Sequence, residues 1–130
     1  MDKQVRDIRE FQQKIAEKKE GWLNQQNTID LIVEGISLRK SLLQEEVDEL
    51  AYAVSKNDQV EILDAVIDII YIALGTAHEC GVLDKVSKAW DMVHENNLTK
   101  LGADGKVVKN QNGKVVKPSN YVSVDLKSLF

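Results

Sequence analysis

EILDAVIDIIYIALGTAHECG, residues 61–81, is the stretch whose reading decides the fold. It contains no Pro and is dense in Ile, Leu, Val and Ala, which predicts a helix buried on most of its circumference, the central helix of a bundle. At about 100° per residue, Glu61, Asp64, Asp68, Gly75 and His78 share a sector of roughly 100°, with Tyr71 beside them. Apolar side chains from Ile62 to Leu74 cover the remainder. Burying an unpaired carboxylate costs several kcal/mol even after relaxation. Acids repeated at three- and four-residue spacing on so apolar a helix therefore need a cation or a wet cleft, unless the stripe is simply the solvent edge of the bundle.

Immediately upstream, Lys56 to Gln59 reads as a turn, and before it a helix reaches about Ser55. In that helix Ile36, Leu43, Val47, Leu50 and Val54 form a stripe at heptad-like spacing, the expected core face. The helix is expected to start at Ser37 as cap, after a short apolar patch from Ile29 to Val33 that Gly35 closes. Glu45, Glu46 and Glu49 fan along one flank, Glu46 nearest the apolar stripe. A short turn makes the two helices antiparallel neighbours, so Glu46 and Glu49 can reach the same depth as Glu61, Asp64 and Asp68. Either acidic group alone is compatible with a solvated face; together they point to one pocket.

Further out, Asp2 to about Glu20 places Val5, Ile8, Phe11 or Gln12, and Ile15 at helical spacing, a first amphipathic helix. A polar loop follows from Trp22 to Thr28, where Trp22 is either a packing anchor or a surface for a nucleobase. Downstream, Val82 to His94 predicts another helix with Val82, Val86, Trp90 and Val93 inward. His94, Asn97 and Lys100 then recur at three-residue steps, suited to a phosphate oxygen and a sugar or base edge, or else a polar helix end. GKVVK occurs at 105–109 and again at 113–117 around an Asn-Gly step, which predicts a small β-hairpin ended by Pro118. Residues 121–130 are expected as an extended tail. The fold class is thus all-α: an antiparallel bundle of four to five helices over 1–100, with a C-terminal β-hairpin and tail over 101–130, in a single domain 1–130.

At 130 residues, with 43% hydrophobic and 29% charged residues, the chain suits one soluble domain. Its formal charge of -4 argues against nucleic acid as the main partner. Asp64 and Asp68 cut the longest apolar run short of the roughly 20 residues a membrane span requires, so no membrane partner is expected. A single cysteine, Cys80, and a charged segment after Met1 fit the cytoplasm.

An all-oxygen set of carboxylates selects a hard cation, Mg2+ with Mn2+ as substitute, over zinc. Such a cation most often serves phosphate chemistry. No P-loop is present, since the Gly-Lys pairs at Gly105 and Gly113 are followed by valine. A di-iron bundle wants two Glu-x-x-His pairs, and the chain offers only Asp91 to His94. A helical interaction module without catalysis is the other rival.

EEVDE at 45–49 followed by EILD at 61–64 resembles the paired acidic motifs of the MazG-type all-α nucleoside triphosphate pyrophosphohydrolases. The longer strings LRKSLLQEEVDEL from Leu38, YIALGTAH to His78, VHENNLTKL from Val93 and the GKVVK tail with its Asn-Tyr step resemble the phosphoribosyl-ATP pyrophosphohydrolase-like branch. The resemblance runs from about Ile36 to Leu126. It implies a MazG-like bundle assembled as a homodimer or homotetramer, cleaving the α–β bond of a nucleoside triphosphate to monophosphate and pyrophosphate. It further implies Mg2+ held by Glu46, Glu49, Glu61 and Asp64, with Asp68 a further ligand or supporting acid and Glu45 orienting or deprotonating the water. Substrate contacts carried by the resemblance are Asn97, Lys100, Lys117 and Tyr121, with Arg39 and His94 in support; Trp22, which lies before the resemblance begins, is the candidate base platform on the residue reading above. The favoured substrate is an NTP or dNTP, dUTP among them, in a house-cleaning role, with phosphoribosyl-ATP as the alternative.

Overall fold

The computed structural model describes residues 1–102 and 104–130. The described residues form four α-helices, α1 (Asp2–Lys14), α2 (Ile29–Ser55), α3 (Gln59–Glu79) and α4 (Val86–Leu98), then a two-stranded hairpin, β1 (Val108–Lys109) and β2 (Val115–Val116), and a short tail. This is the predicted class, mostly helical with a small C-terminal hairpin. It divides into two compact units, Met1–Asp84 and Lys85–Phe130, the second beginning just before α4. The charge divides with it. Residues 1–84 carry nine Lys and Arg against seventeen Asp and Glu, whereas residues 85–130 carry eight against four. None of the described helices is long and apolar enough to cross a membrane.

In the first unit α2 and α3 form an αα-hairpin through the turn Lys56 to Asp58. Asp58 caps α3, its side chain accepting the Glu61 N–H at 3.2 Å. Satisfying one of the four orphan N–H groups in this way fixes where α3 begins. Thr28 does the same for α2, accepting from the Leu31 N–H at 3.2 Å. α2 therefore starts eight residues before Ser37 and runs unbroken through Gly35. The expected break fails for a tertiary reason: Leu23 lies against the face where a Gly35 Cβ would stand, so the glycine admits a neighbour and does not end a helix.

α1 lies along α3, from Ile8 near Ile67 and Ile70 to Gln12, whose amide donates to the Gly75 carbonyl at 3.2 Å. It is shorter than expected, and the chain leaves helical geometry by Glu17, which has φ 55. Val5, Ile8 and Gln12 are its buried residues. Ile15, expected inside, is exposed, and Phe11 turns outward enough to meet Tyr71 edge-on, ring centroids 5.3 Å apart. The core comprises Val5, Ile8, Leu23, Ala53, Ala65, Leu74 and Leu83. The heptad-like stripe of α2 is not fully covered within the chain: Ile36 is 53% and Val54 58% exposed, and Val47 is exposed as well.

The second unit starts from α4, where Trp90, expected inward, is exposed. In the hairpin Val108 pairs with Val116 and Lys109 with Val115. Its turn is held by the Asn110 side chain, whose Oδ1 accepts from Asn112 N–H at 2.9 Å and Lys114 N–H at 3.0 Å. An Asn bonding its own following backbone is the physical reason this residue type marks turns.

Candidate active site

Acids of α2 and α3 approach one another around Glu46. Glu46 is half-buried, and its Oε2 is fully buried without a hydrogen-bond partner. Its carboxyl is pushed up to about 7, first by burial, then by a shared hydrogen bond and the charge of Glu49, and by the charges of Asp68 and Glu45. Carboxylates crowded in this way are relieved by a shared proton or by a cation. Asp68 belongs to α3, so its field at Glu46 places acids of both helices around one point.

Register follows from helix geometry. Arg39 reaches the carbonyl of Ile72 and the hydroxyl of Thr76, Glu46 senses Asp68, and Ala53 shares a groove wall with Glu61. Each step of seven residues forward along α2 is thus matched by four to eight back along α3, as an antiparallel pair rising about 1.5 Å per residue requires. Glu49, three residues beyond Glu46, comes level with Asp64, which is exposed. At the hairpin end a groove of about 520 Å3 is walled by Glu49 and Glu61 together with Asp48, Tyr52, Lys56 and Asp58. Sequence reasoning missed Tyr52 and Lys56, whose ammonium lies 5.5 Å from the Tyr52 ring centroid. Their spacing of four residues, from the last turn of α2 to its C-cap, was the available signal.

Among the described residues no three His, Cys, Asp or Glu side chains stand close enough to hold a metal ion as they are placed. The donor set nevertheless fits a hard cation. It is all oxygen, it carries like charges forced together, and one of its buried oxygens is orphaned, a cost that a divalent ion removes. Glu46, Glu49 and Asp68 are the residues so linked. Glu45 adds its charge at Glu46 but is itself exposed, in a hollow lined with Ser37, Lys40, Ser41, Gln44 and Asp48.

Two expected substrate contacts are engaged elsewhere in this unit. The half-buried Trp22 carries the Lys18 ammonium 4.2 Å from a ring centroid. Arg39 spends its guanidinium on α3, with Nε donating to Thr76 Oγ1 at 3.0 Å, Nη2 to the Ile72 carbonyl at 2.9 Å and Nη1 to Glu79 Oε1 at 3.3 Å. In the second unit, Lys117 sits 5.1 Å over the Tyr121 ring, and Tyr121 Oη accepts from Asn96 Nδ2 at 2.6 Å. That draws in Asn96, which sequence reasoning did not select. His94 and Asn97 are exposed on α4, and Lys100 follows its end.

A family model described as phosphoribosyl-ATP pyrophosphohydrolase matches residues 8–97, a span that contains α2, α3 and every acid discussed above. A search of curated proteins finds no match to the chain. The match covers well over half of the sequence and coincides with the helical hairpin whose acids crowd Glu46, so the chain belongs to the phosphoribosyl-ATP pyrophosphohydrolase family, hydrolases of acid anhydrides within the MazG-like all-α superfamily.

Proposed function

We propose that this chain is a Mg2+-dependent pyrophosphohydrolase that splits the α–β phosphoanhydride of a nucleoside or deoxynucleoside triphosphate, dUTP among the candidates, releasing monophosphate and pyrophosphate. The observation that carries the reading is the crowding at Glu46: a half-buried carboxyl with an orphaned oxygen, facing acids from two helices. Glu46, Glu49 and Asp68, with Glu61 and Asp64 along the same line of α3, are the proposed holders of the ion, and Mn2+ is the proposed substitute. When bound, the ion neutralises phosphate charge and lowers the pKa of a water. A carboxylate outside that set serves as base for the attacking water. Glu45 is the proposed base, and its exposed position asks for a rotamer change to reach the groove.

His94, Asn97, Lys100, Lys117 and Tyr121 are proposed as contacts to phosphate, sugar or base, with Trp22 in support; Arg39, whose guanidinium is spent on α3, is left out of this set. Phosphoribosyl-ATP is the second reading, favoured by the description of the matching family. Both substrates present the same α–β linkage to the same acids. The uncovered apolar stripe of α2 and the exposed Leu63, Ile67 and Ile70 of α3 support a homodimer or homotetramer, in which a second copy covers them. The whole chain is proposed to act as one catalytic domain in the cytoplasm, with Cys80 free.

The test is incubation with a panel of NTPs, dNTPs and phosphoribosyl-ATP plus Mg2+, with products resolved by anion-exchange chromatography. Pyrophosphate with a monophosphate product is expected. Orthophosphate with a diphosphate product refutes the reading even if turnover is fast.

A further inference from the structure

The string YIALGTAHE, residues 71–79, has no part in the reaction as proposed, yet it is where α3 receives Arg39. The guanidinium gives three hydrogen bonds to three successive levels of α3: the Ile72 carbonyl, Thr76 Oγ1 and Glu79 Oε1. Its side chain is only 13% exposed and that of Glu79 only 1%. Lys18 secures the same carboxylate oxygen from the other side at 3.1 Å. Gly75 makes the seat possible, because a Cβ there would stand 2.8 Å from Arg39 Nη2. A planar fork held at three points along a helix axis fixes axial position in a way that apolar packing, which tolerates sliding, does not.

We propose that Arg39 is a positioning residue for the metal-holding acids: seated on the C-terminal half of α3, it sets the axial register at which Glu46 and Glu49 face Asp68 and Asp64. The inference rests on the pyrophosphohydrolase reading given above. Arg39 lies seven residues before Glu46, about 10 Å along α2 at 1.5 Å per residue, so it acts at a distance through the rigid pair of helices. A slip of one residue moves the facing acids about 1.5 Å and rotates each by about 100°, enough to dissolve a shared coordination site.

The test is Mn2+ binding to the full chain, followed by electron paramagnetic resonance at a temperature well below unfolding. Wild type is compared with Arg39→Lys, Arg39→Met, Thr76→Val and a control, Val5→Ala, that lowers stability at a buried site outside the cavity around Arg39. Arg39→Lys and Arg39→Met are expected to bind Mn2+ at least ten-fold more weakly and Thr76→Val about three-fold more weakly. Val5→Ala should bind as wild type, and at saturating Mg2+ the KM for nucleotide should stay within three-fold in all of them. Should Arg39→Met fail to fold, Arg39→Lys and Thr76→Val decide. Unchanged Mn2+ affinity in folded variants overturns the proposal. So does unchanged metal affinity with a raised KM, which would make Arg39 a substrate contact. Absence of Mn2+ binding by wild type overturns the metal reading itself, and with it this inference.

Discussion

Replacing Glu46 by Gln should stabilise the metal-free protein while abolishing its activity. The carboxyl stands at about 7 in the fold against 4.5 when unperturbed, a rise of about 2.5 pH units. At roughly 1.4 kcal/mol per unit the ceiling is near 3 kcal/mol, and partial solvent screening of a half-buried group reduces it to about 1–2 kcal/mol. The sign follows from linkage. A carboxyl whose folded pKa lies above its unfolded value favours the fold below about pH 4.5; that contribution is lost as pH rises to about 7 and stays lost above it. Gln carries no such charge, so thermal unfolding in EDTA at pH 8 should show a midpoint raised by about 3–8 °C. At pH 5 the gain should shrink to about a quarter of that. Mg2+ should raise the midpoint of wild type but not of the variant, since only N-state binding of the ion stabilises. A Glu46→Gln midpoint in EDTA that is lower than wild type at pH 8, or a gain equal at both pH values, would refute the crowding argument.

Glu79→Ala should cost about 3–5 kcal/mol, because it leaves Arg39 and Lys18 without the buried carboxylate that pairs both; urea denaturation measures it. His78 is fully buried with neither ring nitrogen partnered, and burial lowers its pKa, helped by the Arg9 charge and opposed by Glu20 and Glu79. Its unfolded form takes the proton first, so stability should fall as pH drops below about 6.5, and His78→Gln should flatten that slope in a Tm-versus-pH series. Gly75→Ala should lose stability despite the gain of about 1 kcal/mol in helix propensity, since its Cβ would stand 2.7 Å from Gln12 Nε2 and 2.8 Å from Arg39 Nη2 and displace both; differential scanning calorimetry decides the sign.

The acidic core of the site was legible because everything that builds it is local. Three- and four-residue spacings set the faces, and the short turn at Lys56 to Asp58 sets the antiparallel register, so the approach of Glu46 to Asp68 needed no knowledge of distant contacts. Gly35 misled for the opposite reason: its purpose is to let Leu23 pass, a fact about a residue twelve positions away. The face of α1 was right in period, but the choice between Phe11 and Gln12 rests on a carbonyl of Gly75, and only the fold shows that Gln12 takes the inner place. In sequence Arg39 is expected among the residues that support substrate binding. Its partners Thr76 and Glu79 lie some forty residues on, so its engagement with α3 could not be seen before the helices were paired.

The unequal division of charge between residues 1–84 and 85–130 has a consequence for handling as well as for capture of an anion. Titration of the whole chain, with its pI near 5.2, averages an acidic stretch with a lysine-rich one. Such a molecule can adhere to cation-exchange resin at a pH where its overall charge is negative. Its rate of nucleotide uptake, steered by those lysines, should decline with added potassium chloride well before the helices loosen.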